Sequence, residues 1–286
     1  MPRLRGSTRG SERYDMRVRP GAPRSLSGWT GATLLSGLLL VGLAAPLLAP
    51  LDPFSIVGGA LSPPSSTNPF GTDDLGRDVF GGVVHGGLNS LRVGLVGALS
   101  AALLGICIGG AAGLSGGAVD DLLMRGTEFI QAMPRFFLVV TIVSLFGGHL
   151  WLITLVIGLP AWPDTARIFR AQVRAILGRE FVLAARASGA SELSILLRHV
   201  LPLTIAVVAA HASHQSGSAI LTEAAMSFLG LGDPRVMSWG TLLGSAQHLV
   251  REGWWVSLFP GLAITLTVLG CNLLADSLVT VSADQA

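Results

Sequence analysis

Three stretches of this chain, residues 29–51, 93–114 and 253–275, each run past twenty residues without an Asp, Glu, Lys or Arg. A helix rises about 1.5 Å per residue, so about 20 apolar residues cross a hydrocarbon core about 30 Å thick. A charge at that depth costs several kcal/mol. Lipid offers no hydrogen bonds, so a chain crossing it must satisfy its own backbone, and long apolar runs do so as helices. A fourth stretch, 203–222, is also uncharged but carries His211, His214 and Gln215. These four runs make the chain an all-α integral membrane protein. With half its residues hydrophobic and 13% charged, it has too little charge to cover a soluble surface.

The middle of the chain is less direct. Residues 136–163 are uncharged and suit either one tilted helix or two helices meeting at Gly147-Gly148-His149. Two spans would borrow from the charged flanks, beginning near Thr127 and ending near Ile168. Arginine distribution arbitrates, since positive charge collects on the cytoplasmic side. With six spans and both termini cytoplasmic, fifteen Arg lie inside and four (Arg77, Arg92, Arg235 and Arg251) outside. A single middle span would move the six Arg of 167–202 outside. Six spans are therefore expected, with an external loop at about 52–90 and a cytoplasmic segment at about 167–202.

Residues 1–28 hold seven Arg and read as a basic, disordered cytoplasmic tail preceding a membrane domain at 29–286. The apolar run after the tail is too long for the core of a cleaved signal peptide. All 19 basic residues are Arg, so no GxxxxGK[ST] phosphate loop exists here, and any ATP must be bound by another chain. Cys107 and Cys271 lie in apolar runs and read as packing residues. Glycine-rich runs such as Gly94 to Gly97 and Gly109 to Gly113 allow close helix approach in lipid.

The segment 167–202 is too charged to span and too apolar to be a plain linker. Leu177, Phe181, Ala184 and Ala185 fall on one helical face, Gly189 breaks the helix, and Ser188 or Ser191 can cap a second one with Glu192 in its first turn. Leu193, Leu196, Leu197 and Val200 renew the apolar stripe, and Pro202 opens the next span. Apolar stripes backed by Arg suit either a partner's groove or the membrane interface.

Ala184-Ala185, Gly189 and Leu201-Pro202 fall at the spacings of the EAA loop of ABC importer permeases, and the segment resembles that loop. Leu183 stands where the pattern has Glu, and His199 where it has Ile. The run from Arg186 to Pro202 resembles the dipeptide, oligopeptide and nickel importer permeases more closely. So do Phe70-Gly71-Thr72-Asp73-Asp74-Leu75-Gly76-Arg77-Asp78, Asp120 to Arg125 with Ala132-Met133-Pro134, and Leu221 to Gly232 with Pro234 and Ser238-Trp239-Gly240. The first of these is similar to the external motif of that family's second, shorter-looped subunit type. The resemblance covers about 68–276.

That resemblance implies a type I ABC importer permease fold in the bacterial cytoplasmic membrane. The subunit would form half of a translocation path and catalyse nothing itself. Its partners would be a second homologous permease, two cytoplasmic ATP-binding subunits and an external substrate-binding protein. No cofactor, metal or nucleic acid is implied. Peptides are the leading cargo, with nickel or another small solute as the alternative. The coupling loop would comprise Ala184, Ala185, Gly189, Ala190, Leu193, Leu196, Leu197, Leu201 and Pro202. The external motif would comprise Gly71, Thr72, Asp74, Gly76, Arg77 and Asp78, with Asp73, Asp74, Arg77 and Asp78 forming a salt-bridged turn.

On the fifth span, His211, His214, Gln215, Ser218 and Thr222 share a face, with Glu223 close by. Polar groups at membrane depth need partners or water, so this face reads as a wall of the path or as a packed helix contact. His211 and His214 alone make a weak metal site. A proton-coupled transporter using His211, His214 or Glu223 is the alternative outside the importers. No hydrolytic triad or HExxH motif supports an enzyme.

Overall fold

The computed structural model describes residues 24–284 and, among them, is helical with no β-strand. The expected basic tail lies outside the described residues up to position 23. Its boundary moves, because α1 (Arg24–Leu43) begins before Trp29.

Long helices alternate between two ends of a bundle. A short α2 (Ala45–Leu48) and a loop follow α1, then α3 (Val79–Ser115), which at 37 residues is the longest element. At 1.5 Å per residue α3 measures about 55 Å, so its first turns project beyond a hydrocarbon core of about 30 Å. This corrects the expected loop of 52–90, which ends at Asp78. Asp78 caps α3 by accepting from the amides of Phe80 and Gly81. Residues 79–90 are helical despite their glycines because those glycines face packed surfaces: Gly82 meets Leu242, and Gly86 meets Ser238.

The middle region holds one apolar span and, before it, a bent helix pair that passes the same length and composition test when taken together. In that pair α4 (Gly117–Ala132) and α5 (Arg135–Phe146) meet at 72° across Met133-Pro134. Gly147, at φ 93°, ends α5. The apolar span is made of α6 (Leu150–Gly158), a 3₁₀ turn (Leu159–Ala161) and α7 (Trp162–Leu177). Among the described residues five helices are long and apolar enough to cross a membrane, and six if the bent α4–α5 pair counts as one span.

Helix α7 runs on to Leu177, so residues 167–177 extend a span instead of opening a loop. The segment beyond it holds α8 (Glu180–Ala187), α9 (Glu192–Ile195) and a π turn (Leu196–Val200) leading into α10 (Leu201–Phe228). Pro202 cannot donate to the turn before it. The helix widens there, and Leu201 N–H bonds Leu196 C=O five residues back. α11 (Trp239–Ser245) and α12 (Trp254–Asp284) complete the chain, with α1 packed along α12 where Gly31 meets the backbone of Gly270 and Leu274.

The small-residue face of α3 carries the centre of the bundle. Gly105 lies against Thr165, Gly109 against the backbone of Ala166, and Gly113 against Val173. No side chain larger than hydrogen fits at Gly109, so the backbones of α3 and α7 touch there. Beside that crossing, Asp120 is buried and takes bonds from both Arg170 and Arg174, which fastens α4 to α7.

Candidate functional site

The segment between α7 and α10 has an inner and an outer side. Phe169, Val173, Ile176, Val182, Ile195, Leu196, Val200 and Val208 form one buried cluster, with Ala185, Ala190 and Leu201 against it. The outer side exposes Phe181, Leu183, Leu193 and Leu197. The expected stripe of Leu193, Leu196, Leu197 and Val200 is therefore divided. Leu193 is 61% and Leu197 53% exposed, whereas Leu196 is 9% exposed and Val200 fully buried. The stripe is about 100° wide on a helix, and only its Leu196–Val200 edge packs on the bundle. The expected first face is divided too, because Gly178-Arg179 breaks the helix between Leu177 and Phe181.

Gly189 closes α8 in a Schellman motif, at φ 85°. Ala190 N–H bonds Ala185 C=O at 3.1 Å and Gly189 N–H bonds Arg186 C=O at 2.9 Å. A Cβ at Gly189 would meet nothing within 4 Å. The glycine serves the backbone and is not a point of close helix approach. Ser191 then caps α9, accepting from Ser194 N–H. Arg186 and Glu192 join the two helices by a two-pronged ion pair at 2.9 Å. Ala184 and Pro202 are exposed on the same segment.

At the opposite end, the residues of the FGTDDLGRD run fold one turn. Thr72 is fully buried; its hydroxyl donates to Gly59 C=O and accepts from Ser62 N–H, and its carbonyl accepts from the Trp255 indole. Asp73 accepts from the amides of Leu75 and Arg77 at 2.9 and 2.8 Å. Burial pushes the Asp73 carboxyl above its ordinary range, against the pull of those amides. Gly71 and Gly76 turn the chain at φ 72° and 77°, and Asp74 is exposed. The expected salt-bridged turn is corrected. Arg77 forms no ion pair among the described residues, because its guanidinium lies over the Phe54 ring at 5.3 Å while the acids cap backbone amides.

The polar face of α10 also divides. Gln215, Ser218 and Thr222 line a cavity of about 210 Å³ with Gly97, Arg135 and Ala161, and Gln215 donates to Ala161 C=O at 3.2 Å. His211 and His214 line a different cavity, toward α12, where His214 bonds Asn272 at 3.0 Å. Glu223 lines neither. It is buried and accepts from Ser227 and Ser238, both at 2.8 Å, tying α10 to the cap of α11.

Two acidic residues outside the sequence motifs also make contacts that hold these elements. Asp233 accepts from Leu150 N–H at the start of α6 and pairs with Arg235, so the loop after α10 holds the α5–α6 corner. Burial pushes its carboxyl up, but Arg235 and the amides outweigh that and leave it below its ordinary value. Asp164 pairs with Arg135 beside the α10 cavity. A carboxylate within an apolar run was the available signal for Asp164.

Residues 105–284 match the model of the family described as "Binding-protein-dependent transport system inner membrane component". The chain belongs to that family of inner-membrane transport components. It is 38% identical over 255 residues to the di/tripeptide transport system permease protein DppC of Pseudomonas aeruginosa, covering 86% of this chain and 84% of that one. The dipeptide transport system permease protein DppC of Bacillus subtilis is 35% identical over 254 residues, 87% of this chain and 78% of its own. That of Alkalihalophilus pseudofirmus is 34% identical over 254 residues, 87% and 82%. This permease is thus a multi-pass membrane transport subunit.

Proposed function

We propose that this permease forms half of a peptide translocation path and is driven by separate ATP-binding subunits through the segment 178–200. The observation that carries the proposal is the two-sided packing of that segment. Its outer leucines and Phe181 are exposed, while its inner side shares one core with α7 and α10. Packed cores move as units. A partner that grips the outer side therefore moves α7 and α10 together; α10 lines the cavity with Gln215, Ser218 and Thr222, and α7 holds Arg135 at its wall through Asp164.

The segment, with both chain termini, faces the cytoplasm in this reading, as the arginine asymmetry favours. A second permease subunit completes the path, and an external binding protein meets the end that carries the Thr72 turn. The FGTDDLGRD run and the relatives' names support peptides as cargo. The test uses the co-expressed complex in proteoliposomes with labelled dialanine. ATP-dependent accumulation that requires the binding protein is expected. Uptake that persists without the ATP-binding subunits and collapses with the proton gradient would overturn the proposal.

A further inference from the structure

Arg135 opens α5 immediately after the 72° bend. It lies about 16 Å along the helix from Phe146, and Asp164 falls in the middle of the apolar span Leu150–Leu177. Asp164 accepts from Arg135 at 2.6 Å and from the Gln131 amide at 2.6 Å, with Arg167 at 3.5 Å. Two guanidinium groups thus share one carboxylate, which leaves the cluster one positive charge in excess. Arg135 gives only one of its five N–H donors to a protein partner. Its side chain lines the cavity with Gln215, Ser218 and Thr222, and no acid lines that cavity. An incompletely compensated charge at this depth is costly unless something is there for it to meet.

We infer that Arg135 is a specificity-determining contact in the path: its free donors take the C-terminal carboxylate of the passing peptide. The inference rests on the peptide-path reading above. Asp164 is a positioning residue, holding the guanidinium toward the cavity, and Gln131 holds Asp164. Guanidinium suits this role because its planar fork matches a carboxylate and stays charged.

The test is uptake of trialanine and of trialanine amide by the complete complex in proteoliposomes, with the binding protein saturated by each peptide in turn. Arg135→Gln should lower maximal uptake of trialanine about tenfold or more, leave the amide unchanged, and leave subunit stoichiometry intact. Arg135→Lys should fall between. The reversed pair Arg135→Asp with Asp164→Arg should not restore trialanine uptake. Equal losses for both peptides, or full restoration by the reversed pair, would make the pair a latch and overturn the inference. So would unchanged trialanine uptake in Arg135→Gln. Failure of the parent complex to move either peptide would instead remove the peptide reading, and this contact with it.

Discussion

Leu193 and Leu197 offer the sharpest test of the proposed coupling. They keep 61% and 53% of their surface exposed on the outer side of the segment. Fully burying a leucine contributes about 1.5–3 kcal/mol, so docking that covers the exposed half contributes about 1–1.5 kcal/mol for each. Replacing both by Ser should remove about 2–3 kcal/mol, which weakens the ATP-binding subunits' affinity roughly 30- to 150-fold. The assay is titration of labelled ATP-binding subunit onto the permease pair in nanodiscs. Leu196→Ala is the internal comparison. It removes a side chain from the cluster of Phe169, Ile195 and Val200 and should lower stability by about 2–5 kcal/mol, read as a fall in thermal midpoint, with affinity largely kept in the folded fraction. An affinity change below about threefold in the double Ser variant would refute the reasoning, as would a larger affinity loss in Leu196→Ala than in that variant.

Gly189→Val should cost about 1 kcal/mol or more through positive φ alone and reduce peptide-stimulated ATP hydrolysis, whereas Gly189→Asn, which tolerates that backbone, should retain most of it. Gly109→Leu should prevent a stable bundle, seen as loss of the monodisperse peak in detergent, because its Cβ would strike the Ala166 backbone. Asp73 titrates above its ordinary range, so its contribution to stability is full below that range and is lost as pH rises through the raised value. Amide protection factors across 49–78, which take out the pH dependence of intrinsic exchange, should therefore rise on going from about pH 7 to about pH 4, and Asp73→Asn should flatten that rise while keeping the oxygen that accepts from Leu75 and Arg77.

Much of the membrane architecture is legible in the linear sequence, because crossing a bilayer is nearly a one-dimensional requirement. A run such as 253–275 is long, apolar and free of charge whatever its neighbours do, and α12 covers it. The break at Gly147-Gly148 and the turn at Gly189 were also readable, since glycine at such points reports local backbone need. Motif spacing carried the family, because the FGTDDLGRD run and the Ala184 to Pro202 run keep their order and distances. Tertiary structure alone decided which side chain of each stripe faces inward. Leu196 and Leu197 are adjacent and equally apolar, yet one enters the core and the other stays exposed, because they point about 100° apart and only one side packs on α7 and α10. The polar face of α10 likewise faces two cavities, since α3 and α5 meet one side and α12 the other. Arg135 and Asp164 stand 29 residues apart and become a pair only when the bend at Pro134 sets the start of α5 against α7. Periodicity reports the phase of one helix, and a site assembled from several depends on how each is turned against the next.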